Sequence, residues 1–258
     1  MIMIDKLAYS SKLRYKSPCL KAFVAVSSLL ICVNLRSFYI SIIIFLIMGG
    51  LTVFKGKTSL KYYIKIMMIP LGFLILSTLA IIFNISDRPL SIFAISFLGK
   101  YLTVSKDGFI YGINLILTAL SAVSCLYFLS LSTPITDLLY VLEFIHCPVI
   151  IIELLLLIYR FIFILLDMLS SLHTSQKCRL GNKDFRTYLK GSSDLAATLF
   201  IRAFRKSSLL YDSMESRGYD GRLHLLKENI ASSKKEKIIA IVFEVTLLIL
   251  AYAFWRIK

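Results

Sequence analysis

The sequence predicts an all-α integral membrane protein with about five transmembrane helices and a set of long cytoplasmic or interfacial helices. Of the 258 residues, 58% are hydrophobic, whereas a soluble domain has roughly 45–50%. The mean hydropathy is +0.79. The apolar residues are concentrated in runs of about 17–23 residues, close to the length that crosses a bilayer. The net charge of +15 is distributed unevenly between these runs.

Five apolar runs are predicted to span the membrane. Asn34–Ser37 form a tight turn between the first two, and Pro70 kinks the third, which neighbouring helices can accommodate. The segment 84–108 mixes charged and apolar residues and is predicted to be an outer loop with an interfacial helix. The predicted spans cover residues 20–35, 38–54, 62–83, 109–131 and 238–255.

The distribution of basic residues predicts a cytoplasmic N-terminus. With this orientation, 24 of the 30 Lys and Arg residues lie on the cytoplasmic side, as the positive-inside rule requires. The N-terminal stretch lacks a small-residue cleavage pattern, so the first span is expected to be retained. The predicted organisation is an N-terminal transmembrane region over 1–131, a cytoplasmic region of long helices over 132–237 and a C-terminal transmembrane helix over 238–258.

The region 132–237 contains signals for three helices. Thr133 can cap the first helix, with Pro134 at its first position. Apolar residues at helical spacing over 135–142 make this helix amphipathic. Pro148 begins a second helix that continues to Arg179. A third is predicted to begin near Ser192–Asp194 and to end at Arg217–Gly218.

The second helix carries a charged stripe. Glu153, Arg160 and Asp167 recur every seven residues, which places them along one side of a helix. A charge at mid-bilayer costs roughly 2.5–3.5 kcal/mol on insertion scales. We therefore interpret the helix as lying at the membrane–cytoplasm boundary or against protein, with the stripe as a packing and interface device. The alternative is a sixth span with a polar stripe, which would place the C-terminus inside the cell.

The second and third helices end alike, with an arginine near the end and a glycine just beyond. The pairs are Arg179 with Gly181, and Arg217 with Gly218. Such an end can be a C-cap, because glycine accepts the left-handed conformation and arginine interacts with the helix dipole. It can also present a guanidinium that binds a partner's carboxylate in bidentate fashion. Spacing alone leaves both interpretations open.

Several segments together resemble the T components of energy-coupling-factor transporters, the EcfT family and its cobalt/nickel form CbiQ. The resemblance covers nearly the whole chain. Two departures stand out: Gly181 falls one residue late in its motif, and Ser216 replaces the usual alanine. The matching segments read IDKLAYSSKLRYKSP at 4–18, STPITDLL at 132–139, YRFIF at 159–163, SQKCRLG at 175–181, IRAFRKSSLLYDSMESRG at 201–218 and SMESRGYDG at 213–221.

The resemblance implies a non-catalytic coupling subunit in the plasma membrane of a prokaryote. In that family the two arginines dock on two ATP-binding-cassette ATPase subunits, which use ATP and Mg²⁺, so this chain is expected to hold no cofactor. A substrate-binding S component resembling CbiM or NikM would capture the cargo, Co²⁺ or Ni²⁺. The ATPase interface implied for this chain comprises Arg179, Arg217, Gly181, Ser216, Gly218 and Glu215.

The sequence offers little support for other chemistry. The stretch 50–58 resembles a phosphate-binding loop, but Leu51 stands where that motif needs glycine. His146, His173 and His224 lie far apart, and neither a catalytic constellation nor a nucleic-acid motif is evident. The alternatives left open are a vitamin-type T component, a stand-alone secondary carrier or channel, and a membrane scaffold that only recruits soluble proteins.

Overall fold

The computed structural model describes residues 3–86, 93–97, 100–104, 106–179, 184–221 and 233–257. The chain divides into two compact units. We call residues 2–141 with 229–258 the transmembrane unit, and residues 142–228 the hairpin unit. The helices are α1 Met3–Ser10, α2 Pro18–Leu35, α3 Phe38–Gly50, α4 Leu60–Ile82, α5 Lys106–Ser132, α6 Ile135–Phe144, α7 Val149–Cys178, α8 Phe185–Glu215 and α9 Lys234–Ile257.

Two short helical turns adjoin these helices. A 3₁₀ turn, Lys12–Tyr15, lies before α2, and a π turn, Leu51–Lys55, continues α3. Arg36 adopts a left-handed conformation, with φ 45°, and ends α2. This abrupt end allows α3 to begin two residues later and confirms the predicted tight turn.

The membrane prediction is confirmed for the first four spans. Among the described residues, five helices are long and apolar enough to cross a membrane. Four of them match the first four predicted spans, and the fifth is α7. The predicted span at 238–255 falls within α9, although its side chains beyond Leu250 lie outside the described part.

The predicted interfacial helix within 84–108 is wrong for the described residues. They form the strands β1 Phe83–Ser86, β2 Phe93–Phe97 and β3 Lys100–Val104. These strands make a three-stranded antiparallel sheet in the order β1-β3-β2. Apolar and polar residues alternate along β1, a period-two pattern that favours extended chain over helix.

Helix α5 is central to the transmembrane unit, where it packs against α2, α3 and α4, while α2 also packs against α9. Small and polar residues lie at these contacts. This is expected in a membrane, because lipid is as apolar as the helices and burial of apolar surface does not drive the helices together. Ser28 Oγ donates to Glu244 Oε1 over 3.1 Å, and Tyr63 OH lies 2.9 Å from Ser124 Oγ. The buried small residues include Ala25, Ser28, Cys32, Ser41, Ser121, Ser124 and Cys125.

The third predicted helix of the 132–237 region begins earlier than expected. Helix α8 starts at Phe185, following Asp184 in an extended conformation, rather than near Ser192. The helix continues through Gly191, although glycine in a helix costs about 1 kcal/mol relative to alanine. Packing of α8 against α7 offsets that cost.

Candidate functional site

Helices α7 and α8 form an antiparallel hairpin. Near the end of α7 and the start of α8, a groove of about 340 Å³ is lined by Gln176, Arg179, Lys190 and Asp194. At the opposite end, Tyr219, which follows α8, contacts Glu153 in the first turns of α7. Helix α8 therefore runs along nearly the whole of α7, and their C-terminal ends lie at opposite ends of the hairpin.

Arg179 forms the C-cap of α7. Its backbone N–H donates to Gln176 O over 3.2 Å, and its side chain is exposed. No carboxylate pairs with this guanidinium among the residues that the structure describes. The glycine predicted to follow it, Gly181, lies outside the described residues.

The end of α8 is closed by a glycine cap. Gly218 has φ +76°, and its N–H donates to Glu215 O over 2.9 Å while Tyr219 N–H donates to Met214 O over 3.0 Å. These two bonds constitute a Schellman motif. The predicted capping role of Gly218 is thus confirmed. The cap leaves the side chains of Glu215, Ser216 and Arg217 exposed.

Tyr219 fixes this cap to the start of α7, a contact that sequence reasoning missed. Its hydroxyl donates to Glu153 Oε2 over 3.0 Å, and Glu153 is only 5% exposed. The hydrogen bond to the Glu153 carboxylate raises the pKa of Tyr219, so the phenol is protonated and donating at neutral pH. The sequence signal was a tyrosine next to a capping glycine, which carries no information about a partner 66 residues away.

The three residues of the predicted stripe on α7 differ in their exposure. Glu153 is buried and bonded to Tyr219, whereas Arg160 and Asp167 are exposed. An inter-helix contact is therefore seen for Glu153. The interface role of the other two stays a prediction.

The exposed helix ends can bind a partner through their cations. A guanidinium presents a rigid fork of donors that matches a carboxylate, and a charge-assisted pair of this kind is roughly twice as strong as a neutral hydrogen bond. Within the described ranges, no three His, Cys, Asp or Glu side chains are grouped closely enough to hold a metal ion.

Comparison with known proteins identifies relatives over most of the chain. A family model described as cobalt transport protein, CbiQ, matches residues 9–226. An uncharacterized protein of Methanocaldococcus jannaschii is 37% identical over 97% of this chain and 92% of its own length. The cobalt transport protein CbiQ of Salmonella typhimurium is 27% identical over 87% of this chain and 100% of its own length. A fused cobalt transport protein CbiMQ of Methanocorpusculum labreanum is 31% identical over 88% of this chain and 38% of its own length.

Proposed function

This chain belongs to the CbiQ family of cobalt transport proteins, and we propose that it is the coupling subunit that links separate ATPases to a substrate-binding membrane subunit. The observation that carries the proposal is the pair of exposed arginines, Arg179 and Arg217, at opposite ends of one helical hairpin. Each guanidinium would bind an acidic group on one ATPase subunit.

The length of the hairpin supports two ATPase subunits rather than one. Arg217 adjoins the start of α7 through the Tyr219–Glu153 bond, and Arg179 caps the end of α7. The intervening 26 residues of helix correspond to roughly 40 Å at 1.5 Å per residue. A pair of ATPases that close on ATP and separate after hydrolysis could hold one end each.

The polarity of the hairpin supports a location at the cytoplasmic membrane surface. Helix α7 has exposed apolar residues such as Ile150, Leu154 and Ile158. Helix α8 carries the exposed cations Arg202 and Arg205 and lies along α7, so the pair cannot sit in hydrocarbon without a large desolvation cost. With the N-terminus in the cytoplasm, the apolar face of α7 would face the membrane or a membrane partner. Helix α8 would face the cytoplasm, with the ATPases bound at the two ends of the hairpin.

The membrane partner is inferred from the fused relative. CbiMQ joins a CbiM part to a CbiQ part in one chain, which supports a CbiM-like subunit as the partner that captures Co²⁺ or Ni²⁺. The exposed apolar face of α7 offers a surface for that subunit. ATP and Mg²⁺ would be used by the ATPases.

Coupling follows from the stiffness of the hairpin. The cap at Gly218 and the Tyr219–Glu153 bond hold one end of α8 to α7, so displacement of either arginine by a moving ATPase would move the hairpin as a unit. The two nucleotide states of the ATPases would then correspond to two arrangements of the membrane partner.

Charge reversal at both ends tests the proposal. The Arg179→Glu/Arg217→Glu variant should lose ATPase co-purification and ATP-dependent Co²⁺ uptake together, because each end would repel the acidic group that it binds. The matched control is Arg202→Glu/Arg205→Glu, which reverses two exposed charges on the body of α8 and should retain both activities. Full uptake by the first variant would refute the coupling role, and gradient-driven uptake by the purified chain alone would favour a carrier.

A further inference from the structure

A cleft of about 250 Å³ lies between the ends of four helices of the transmembrane unit. Its lining comes from the start of α2, the π turn after α3, the end of α5 and the start of α9. Val24, Ile47, Phe128 and Phe243 contribute apolar walls. All four helix ends belong to the side that the basic residues assign to the cytoplasm.

Three lysines and one glutamate also line this cleft. Lys16 Nζ lies 3.2 Å from Glu236 Oε1, and both side chains are partly exposed, at 47% and 30%. Lys55 is exposed and has no ion pair within the described part of the chain. The lining therefore holds more positive charge than its single carboxylate can neutralise.

The third lysine is held in the floor of the cleft. Lys21 is 6% exposed, and its Nζ donates to Leu13 O over 3.1 Å and to Ser132 O over 3.0 Å. These bonds tie the segment before α2 to the end of α5. Lys21 thus adds a third lysine side chain to the lining of the cleft.

We propose that this cleft binds one anionic phospholipid of the cytoplasmic leaflet. The phosphate would bind at Lys16 and Lys55, and the upper part of an acyl chain would pack against the apolar walls. Basic pockets between transmembrane helices on the cytoplasmic side are suited to such headgroups. Free phosphate would leave the apolar walls uncovered, and a zwitterionic lipid would leave the excess charge unmatched. The proposal does not depend on the ATPase role.

Glu236 competes with the lipid in this arrangement. Its carboxylate oxygen Oε1 lies 3.2 Å from Lys16 Nζ, so a lipid phosphate must displace the carboxylate or share the lysine. Removing the carboxylate should therefore strengthen binding, a change that a folding defect does not imitate.

Lipid titration of the purified chain, followed by native mass spectrometry, tests the site. The wild type should bind phosphatidylglycerol in preference to phosphatidylcholine. Lys16→Gln/Lys55→Gln should weaken phosphatidylglycerol binding roughly 10- to 30-fold, since each lysine near an anionic lipid contributes about 1 kcal/mol. The control, Lys61→Gln/Lys65→Gln, removes the same charge from exposed positions of α4 and should leave binding within about twofold of wild type.

Two further variants and one competitor complete the test. Glu236→Gln should tighten phosphatidylglycerol binding, and Ala240→Phe, which fills the cleft from a lining position, should weaken binding of both lipids. Excess inorganic phosphate should leave the bound lipid in place. The proposal is overturned if the control loses as much affinity as the Lys16/Lys55 variant, if both lipids bind the wild type equally, or if phosphate alone displaces the lipid.

Discussion

Gly218 determines how the end of α8 is built. Its φ of +76° lies in the left-handed region, which costs an L-residue about 1–2 kcal/mol. Open space surrounds the position where a Cβ would lie, so the requirement for glycine is conformational rather than steric. The backbone bonds of Gly218 and Tyr219 depend on this conformation and hold the Arg217 end in place.

Replacing this glycine should loosen the end of α8. Gly218→Val should destabilise the cap by about 1–2 kcal/mol and speed hydrogen exchange of the amides at 218 and 219, whose bonds close the Schellman motif. Gly218→Asn is the matched control, because asparagine tolerates the left-handed conformation, and its exchange should stay near that of wild type. If the amides at 218 and 219 were equally protected from hydrogen exchange in Gly218→Val and in the wild type, the cap would not need the left-handed conformation.

The hydrogen bond between Tyr219 and Glu153 should be visible in a titration. The carboxylate accepts from the phenol and raises the pKa of Tyr219, so the bond is present below the ordinary tyrosine pKa and is lost as pH rises through the raised one. In Glu153→Gln, the pKa of Tyr219 should fall toward its ordinary value. Ultraviolet difference titration, with Tyr219→Phe providing the background, measures this change, and an unaltered pKa would argue against the contact.

At the scale of the helix, small and polar residues hold the transmembrane unit together. The Ser28–Glu244 bond joins α2 to α9, and the Tyr63–Ser124 bond joins α4 to α5. These helices expose many large apolar side chains on their outer faces, among them Phe73 and Leu76. Lipid can solvate those faces, so the inter-helix contacts depend on close approach and hydrogen bonds.

Loss of the Ser28 hydroxyl should weaken the α2–α9 pair. Ser28→Ala is expected to lower the free energy of unfolding in detergent by about 0.6 kcal/mol, and by about 1.7 kcal/mol at most, as for other inter-helix hydrogen bonds in membranes. Ser77→Ala removes a hydroxyl that bonds within its own helix, to Leu74 O, and should have a smaller effect. Equal effects of the two substitutions would show that the Ser28 bond does not link the helices.

The apolar runs allowed the spans to be predicted, because the apolar residues of a lipid-exposed helix follow one another in the sequence. The predicted span 38–54 agrees with α3 and its π turn, and the glycine cap after Arg217 could also be read locally. Features that depend on distant residues could not be predicted in this way. The Tyr219–Glu153 bond, the early start of α8 and the sheet in place of an interfacial helix all depend on tertiary contacts or on competition between helix and strand periods.

Whether α7 crosses the bilayer can be tested with native cysteines at its two ends. Cys147 precedes α7 and Cys178 ends it. We expect an impermeant maleimide to label both from the cytoplasmic side only, because α8 lies along α7 and its cations disfavour insertion of the hairpin into hydrocarbon. Single-cysteine variants, labelled in inverted and right-side-out vesicles, measure this. Labelling from opposite sides would establish α7 as a sixth span.

At the scale of the whole molecule, the chain is a membrane component of the cobalt transport family whose hairpin unit carries the exposed arginine ends. The transmembrane unit has a buried core and a cleft with basic and apolar lining. The hairpin unit buries little in the isolated chain: α8 has no buried residue, and only Glu153 is buried in α7. Such a surface is what we expect of a unit whose partners are other chains.

Site-specific cross-linking from both helix ends tests the coupling role most directly. Cys178, which is exposed beside Arg179, provides one attachment point, and Ser216→Cys provides the other beside Arg217. In the assembled transporter, the coupling role predicts a product containing one copy of this chain and two ATPase subunits, with a negligible yield from Ser208→Cys on the body of α8. A product with only one ATPase subunit, or equal cross-linking from position 208, would contradict it.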